Sequence, residues 1–263
     1  MHINISYGVT KDWLQYAQIS IASILKNANI DDEYTFYIVC NNCDEEDKKL
    51  FEKLDIIKKA TYNFLQIDDS LFKRNINNPR GVSTFYRVFL ADMIPDLDKI
   101  LYLDADTIIH SDIAELYRYD ITDYYLAGVE DKTENIMRNF VKLEDGRFFI
   151  NAGVLLMNLA KFREDNLKDD LYEHLKMTEF YCDQMTINQV CQAKILQLPL
   201  KFNIMIDPAN FAEKLPMYVT RRDEYEEAAK NPVVHHLWAK PWEQGLLPTT
   251  IKWFELKEEL EKL

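Results

Sequence analysis

Asp104 and Asp106 stand one residue apart between an apolar run at residues 100–103 (Ile-Leu-Tyr-Leu) and a second one at Thr107, Ile108 and Ile109. A short β-rich apolar run of this kind reads as a buried strand, so the two carboxylates lie where a strand leaves the sheet. That is where open α/β sheets bind their ligands. Two bare carboxylates there repel each other and lose hydration, and a hard divalent cation between them removes both costs. An Asp-x-Asp pair is also an ordinary turn or cap composition. A surface turn, however, has no need of hydrophobic strand residues on both sides, so the flanks favour a metal site.

Other residues carry complementary chemistry. Arg87 lies in Thr84-Phe85-Tyr86-Arg87-Val88-Phe89, just before the aspartate strand, where it either faces solvent or reaches a phosphate or carboxylate with two parallel donors. Asn151 precedes the close-packing pair Ala152-Gly153 at the mouth of an apolar strand and is a candidate hydroxyl reader. Asp183 and Gln184 open a helix, where Asp183 is either a cap or a site residue. Residues 233–242, Val-Val-His-His-Leu-Trp-Ala-Lys-Pro-Trp, supply an imidazole for a metal and, in Lys240, a phosphate counter-charge. Side chains alternate along a strand, so only one of His235 and His236 can face the aspartates.

A frame must bring these separated segments to one place. Residues 2–7 and 35–40 read as strands on either side of a helix over 13–28, in which Tyr16, Ala17, Ser20, Ile21, Ile24 and Leu25 recur at helical spacing. An acidic helix (44–54), a strand (60–67), a polar loop (75–81) and a helix (83–93) lead into the aspartate strand. Further strands are expected at 125–129, 153–158 and 195–198. This alternation predicts a mostly parallel α/β sheet flanked by helices. Residues 1–248 read as one domain. The tail, 249–263, places Trp253, Leu256, Leu260 and Leu263 on one helical face and is expected to pack back on that domain, since an interfacial helix favours a basic polar face.

Composition narrows the partners. Forty-four acidic residues against 31 basic ones give a formal charge of −13, which argues against nucleic acid and against anionic membrane. No stretch is long and apolar enough to span a bilayer, and no basic segment followed by an apolar one opens the chain, so a cytoplasmic protein is expected. Homo-oligomerisation is compatible with the sequence. Cys40-Asn-Asn-Cys43 has redox or zinc spacing, but Cys182 and Cys191 are too far apart to complete a zinc site, and ordinary reduced thiols are expected. None of the six glycines forms a dinucleotide or P-loop motif, so any phosphate must be met by metal and cationic side chains.

Together, Leu103-Asp104-Ala105-Asp106, Asn151-Ala152-Gly153-Val154-Leu155-Leu156, Asp183-Gln184, and His235 through Lys240-Pro241-Trp242 resemble glycosyltransferase family 8. Its members are retaining sugar-nucleotide transferases, among them bacterial lipopolysaccharide galactosyl- and glucosyltransferases and glycogenin. The resemblance runs from Val9-Thr10-Lys11-Asp12-Trp13 to Trp242. It implies a GT-A fold, a Rossmann-like mixed and mostly parallel sheet flanked by helices, binding a UDP-hexose with Mn²⁺ or Mg²⁺ for transfer to a glycan or glycolipid acceptor. Asp104 and Asp106 would hold the metal with His235 as third protein ligand, chosen because relatives have two apolar residues before that histidine, as Val233 and Val234 stand here. Gly8, Val9 and Thr10 would surround the nucleoside. Arg87, Asp131, Asn151 and Asp183 would contact the sugar hydroxyls, with Ala105 and Ala152 beside the donor. Gln184 would lie at the anomeric carbon and Lys240 at the diphosphate. Gln184, Asp183 and Asp131 form the implied catalytic set, and same-face attack by the acceptor is favoured because an amide is a poor nucleophile. Two departures stand out: Thr10 lies near where many relatives have an aspartate, and the spacer between the histidines and Lys240 is short.

Two other classes compete. Asp104-Ala105-Asp106-Thr107 also fits the nucleophile motif of haloacid-dehalogenase-like phosphatases, but about a hundred residues precede it and no later glycine is followed by aspartate. A noncatalytic sugar-nucleotide-binding protein is the third reading.

Overall fold

The first strand sets the sheet. In the computed structural model, which describes residues 1–68, 81–131, 141–176, 182–205, 221–237, 241 and 250–263, β1 (His2–Val9) is buried along almost its whole length, as a strand with parallel neighbours on both sides must be. The helix α1 (Leu14–Lys26) returns the chain to β2 (Glu33–Cys40), and α2 (Glu45–Glu52) leads to β3 (Thr61–Gln66). After the gap in the described residues come 3-10 turns at Val82–Phe89, α3 (Leu90–Met93), β4 (Lys99–Leu103), β5 (Thr107–Ile109), α4 (Ala114–Tyr117) and β6 (Leu126–Glu130). Then follow β7 (Ile150–Asn158), α5 (Leu159–Glu164), α6 (Leu167–Lys176), α7 (Asp183–Cys191), β8 (Ile195–Leu198), α8 (Arg222–Lys230), β9 (Val234–His236) and α9 (Ile251–Leu260).

The main sheet runs β3-β2-β1-β4-β7-β6-β8. Only β7 is antiparallel to its neighbours, β4 and β6. Two apolar layers cover the faces, one built on α1, α4 and α9, the other on the 82–94 segment with α5, α6 and α7. A separate antiparallel ribbon pairs β5 with β9, placing Thr107 opposite His236 and Ile108 opposite His235.

The expected mostly parallel α/β sheet is present, and every expected strand is found within a few residues. Three details differ. Residues 83–93, read as one helix, form mainly 3-10 turns, in keeping with a stretch of β-branched and aromatic residues of low helix propensity. Cys40 and Cys43, read as reduced thiols, are joined in a disulfide between the end of β2 and the start of α2. Leu263 lies beyond the end of α9 and is 45% exposed, so the buried face of the tail ends sooner than its spacing suggests. Among the described residues, no helix is long and apolar enough to cross a membrane. The polar loop at 75–80 and the expected boundary at 248 and 249 lie outside the described residues.

The tail helix is held by one large side chain. Trp253 is 1% exposed, its ring 6.0 Å from that of Tyr16 on α1, and Lys26 pairs with Glu259 beside it. Deleting a buried aromatic of this size removes its transfer energy and leaves a cavity. Trp253→Ala should therefore lower unfolding stability by about 3–5 kcal/mol in urea titration; a change under about 1 kcal/mol would show that α9 contributes little to the fold.

Candidate functional site

Asp104 follows the last residue of β4, and its backbone N–H donates to Gly153 O on the antiparallel β7 at 2.8 Å. The turn that carries Asp104 and Asp106 is pinned from beneath. Thr107 Oγ1 donates to Asp104 O at 2.8 Å and is linked at 2.9 Å to Ser20 Oγ, which is itself 2.9 Å from the Tyr7 hydroxyl. Thr107, Ser20 and Tyr7 are fully buried, so this chain of hydroxyls fixes the turn without water.

The ribbon delivers the imidazole. Because β9 pairs with β5 immediately after the turn, Leu237 N donates to Asp106 O at 2.7 Å, and the register opposite Thr107 turns His236 inward. His236 Nε2 lies 3.2 Å from Asp106 Oδ1 and 3.7 Å from Asp104 Oδ2. His235 points to the other side, where its Nδ1 is 2.8 Å from His110 Nε2. The expectation that His235 joins the aspartates is thus corrected to His236. Pairing register decides between adjacent imidazoles, since a slip of one residue exchanges the two faces. Space for the imidazole depends on Gly153, where a Cβ would come within 2.2 Å of the His236 ring and 2.7 Å of Asp104 Oδ2.

One ligand atom from each of Asp104, Asp106 and His236 falls within 4.8 Å of the others. Two carboxylates with one imidazole suit a divalent cation. Burial by itself depresses the His236 pKa, but the Asp106 and Asp104 carboxylates outweigh it and leave the imidazole above its ordinary value.

Arg87 closes the site on the sheet side. It is 2% exposed. Its Nη2 donates to Asp104 Oδ1 at 2.8 Å, its Nη1 to Ala152 O, and its Nε, which donates to Thr84 O at 2.8 Å, lies 3.3 Å from Asp183 Oδ2. The guanidinium carbon sits 4.1 Å from the Tyr102 ring centroid, and the Tyr102 hydroxyl donates to Asp104 Oδ1 at 3.1 Å. Of the two readings of Arg87, the structure gives the carboxylate-bound one. Burial holds the Tyr102 hydroxyl well above the usual phenol range, so it keeps its proton and remains a donor.

Beside this corner, β7 and α7 build a polar floor. Asp183 is the first residue of α7, whose cap is Cys182, so Asp183 is not the cap. The helix is tied to β7 by Asn188, which accepts from Ile150 N at 2.7 Å and donates to Ile150 O at 2.8 Å. Gln184 Nε2 donates to Asp131 Oδ2 at 3.0 Å, and Gln184 Oε1 accepts from Ala152 N at 3.1 Å and Asn151 Nδ2 at 3.2 Å. Asn151 Oδ1 accepts from Gly153 N and from Asn203 Nδ2, each at 2.9 Å.

These groups face one cavity of about 690 Å³. Gly8, Val9, Thr10, Arg87, Asp104, Ala105, Asp106, Asp131, Asn151, Ala152, Asp183 and Gln184 all line it, as the sequence reading groups them. Lys240 lies outside the described residues. The cavity also takes in Asp12 and Trp13, which the opening motif contains but to which no role was given; Thr10 Oγ1 donates to the Asp12 carboxylate. Gly8 lies where a Cβ would meet Ser83 O at 2.9 Å and the Tyr102 hydroxyl at 3.2 Å, so the first loop can close on the cavity only without a side chain there.

Residues 4–245 match the model of glycosyl transferase family 8. A lipopolysaccharide 1,2-glucosyltransferase from Escherichia coli is 30% identical, with 83% of this chain and 67% of that protein aligned. A protein named as a putative glycosyltransferase from Haemophilus influenzae is 29% identical over 76% of this chain, which spans 63% of that relative's length. Among solved structures, an active-site mutant of LgtC superposes with a TM-score of 0.82 at 22% identity, covering 98% of this chain and 96% of that one. This likeness shows a shared fold, the GT-A architecture.

Only the neutral imidazole ligates a cation, so protons compete for His236. As its pKa is raised, Mn²⁺ affinity should begin to fall at a pH above 6.5 and keep falling as the solution is acidified, with the half-saturating Mn²⁺ concentration read by calorimetry. The sign for stability is opposite: without a cation, the imidazolium's contribution is complete below pH 6.5 and disappears as pH rises through the raised value. His236→Ala should weaken Mn²⁺ binding at least tenfold and flatten this profile, and His235→Ala should change neither. The reverse pattern would return the role to His235.

Proposed function

The chain belongs to glycosyltransferase family 8, and from that premise we propose that it moves a hexose, glucose or galactose, from a UDP-sugar to a glycan or glycolipid acceptor with retention at the anomeric carbon. The observation that carries this reading is the meeting of Asp104, Asp106 and His236 in one cavity with Arg87, Asp131, Asn151, Asp183 and Gln184. Among the described residues that cavity has five carboxylates and one guanidinium on its walls, so an anionic diphosphate can enter only with a cation. Asp104, Asp106 and His236 are the residues we assign to Mn²⁺ or Mg²⁺, which when bound would offset the charge that grows on the leaving diphosphate.

The remaining roles follow from position. Gly8, Val9 and Thr10, with Asp12, receive the nucleoside, and Lys240 supplies a counter-charge to the diphosphate. Arg87 holds Asp104 and Asp183 in place from below, and Asp183, Asp131 and Asn151 present fixed polar atoms to the sugar hydroxyls. Gln184 is an orienting group rather than a nucleophile, because its oxygen already accepts two hydrogen bonds and would have to give them up to attack carbon. With no carboxylate assigned to covalent attack, the acceptor hydroxyl enters on the face from which the diphosphate leaves. Residues 1–248 form the transferase domain in this reading, with 249–263 its docked tail. The family match removes the support for a haloacid-dehalogenase-like phosphatase.

Asp104→Asn and Asp106→Asn should each lower UDP-sugar hydrolysis or transfer by at least ~100-fold, about 2.7 kcal/mol of barrier, with chelator reproducing the loss in the parent protein. Full activity in either variant or in chelator would remove the cation from the mechanism.

Proton NMR of the product's anomeric signal tests the stereochemistry. An α-linked donor should give an α-linked product, and a β-linkage would require opposite-face attack instead.

A further inference from the structure

The two oxygens of Asp104 have different surroundings. Oδ1 accepts from Arg87 Nη2 at 2.8 Å and from the Tyr102 hydroxyl at 3.1 Å, whereas Oδ2 lies 3.7 Å from His236 Nε2. Tyr102 stands on β4 two residues before Asp104, which follows the strand's last residue, and its hydroxyl reaches that carboxylate from the same side of the sheet. Its ring is 1% exposed and lies against the Arg87 guanidinium, 4.1 Å from centroid to carbon. Its hydroxyl reaches so close to the end of β1 that a Cβ on Gly8 would be 3.2 Å away. The phenol therefore cannot swing, and its O–H is aimed at a single carboxylate oxygen.

We propose that Tyr102 is a positioning residue: with Arg87 it occupies Oδ1 of Asp104 and leaves Oδ2 as the one oxygen turned toward Asp106 and His236, which sets single-oxygen ligation of the divalent cation by Asp104. This rests on the assignment of a cation to Asp104, Asp106 and His236. A carboxylate without such donors can rotate to offer either oxygen or both. Two donors on one oxygen fix its plane before the cation arrives, as outer partners of metal ligands commonly do.

Tyr102→Phe keeps the ring against Arg87 and deletes only the hydroxyl. Mn²⁺ binding is measured directly by electron paramagnetic resonance of the free ion at fixed UDP, below the variant's own melting transition. Melting of the metal-free protein and UDP-sugar hydrolysis across a Mn²⁺ titration accompany it. The half-saturating Mn²⁺ concentration should rise about tenfold, while kcat at saturating Mn²⁺ stays within about threefold of the parent and the melting temperature moves by only a few degrees. Parental Mn²⁺ affinity in the variant overturns the inference. So does a fall in kcat that saturating Mn²⁺ does not restore, because that outcome assigns Tyr102 to the fold or the chemistry instead. A parent protein that binds no Mn²⁺ with UDP present overturns the cation assignment and this inference with it, whereas a binding parent and an unaffected variant overturn only this one.

Discussion

A buried guanidinium organises this molecule. Arg87 is 2% exposed, and a buried charge persists only where its partners are close and its donors are used. Those partners come from separate segments: Asp104 at the end of β4, Ala152 O on β7, Asp183 at the start of α7 and Thr84 O one turn before it. Burial works against the charge, but Asp104, Tyr102 and Asp183 more than offset it and hold the pKa above the usual arginine value. The cation thus ties the ends of β4 and β7 and the start of α7 to one another. Losing one partner of such a group typically costs about 3–5 kcal/mol, far more than an exposed pair.

The same electrostatics leave the site acidic, so the anionic ligand proposed for it meets no uncommitted positive charge on Arg87. Arg87 spends its charge on Asp104 and Asp183 within the wall, so it cannot also neutralise a diphosphate. Asp106 and Asp131 add further negative charge to the same cavity. In the proposed reading, a divalent cation held by Asp104, Asp106 and His236 would reverse the sign at that corner and make diphosphate affinity conditional on it.

Much of this was legible in the sequence because it rests on local patterns. Strand runs, helical spacing and the apolar flanks of Asp104 and Asp106 follow from burial, and burial is written in residue type. The motifs at Asn151 and at Asp183-Gln184 name residues that do line the cavity. What was not legible depends on contacts between distant segments. The choice of His236 over His235 rests on the register of β9 against β5, more than a hundred residues earlier, and apolar residues before a histidine carry no information about that register. Tyr102 looked like one more strand aromatic, since nothing local shows that its hydroxyl meets Asp104. Asp12 was given no role because the resemblance drew attention to Thr10, two residues before it. The Cys40–Cys43 pairing was missed because its spacing serves thiols, zinc and disulfides alike.

The reversed direction of β7 gives the site its mixture of polar groups. Parallel strands present their carboxyl ends at one edge of a sheet, and β1 and β4 do so with Thr10 and Asp104. An antiparallel strand presents its amino end at that same edge, and the first residues of β7 are Ile150, Asn151, Ala152 and Gly153. Four backbone groups there find a site partner: Ala152 N bonds Gln184, Gly153 N bonds Asn151, Ala152 O bonds Arg87 and Gly153 O bonds Asp104 N. The backbone of one strand therefore links Gln184, Asn151, Arg87 and Asp104. Gly153 completes the arrangement by having no side chain, so that His236 can occupy the space a Cβ would fill. An all-parallel sheet would place the amino end of this strand at the opposite edge, and these four side chains would have no common support.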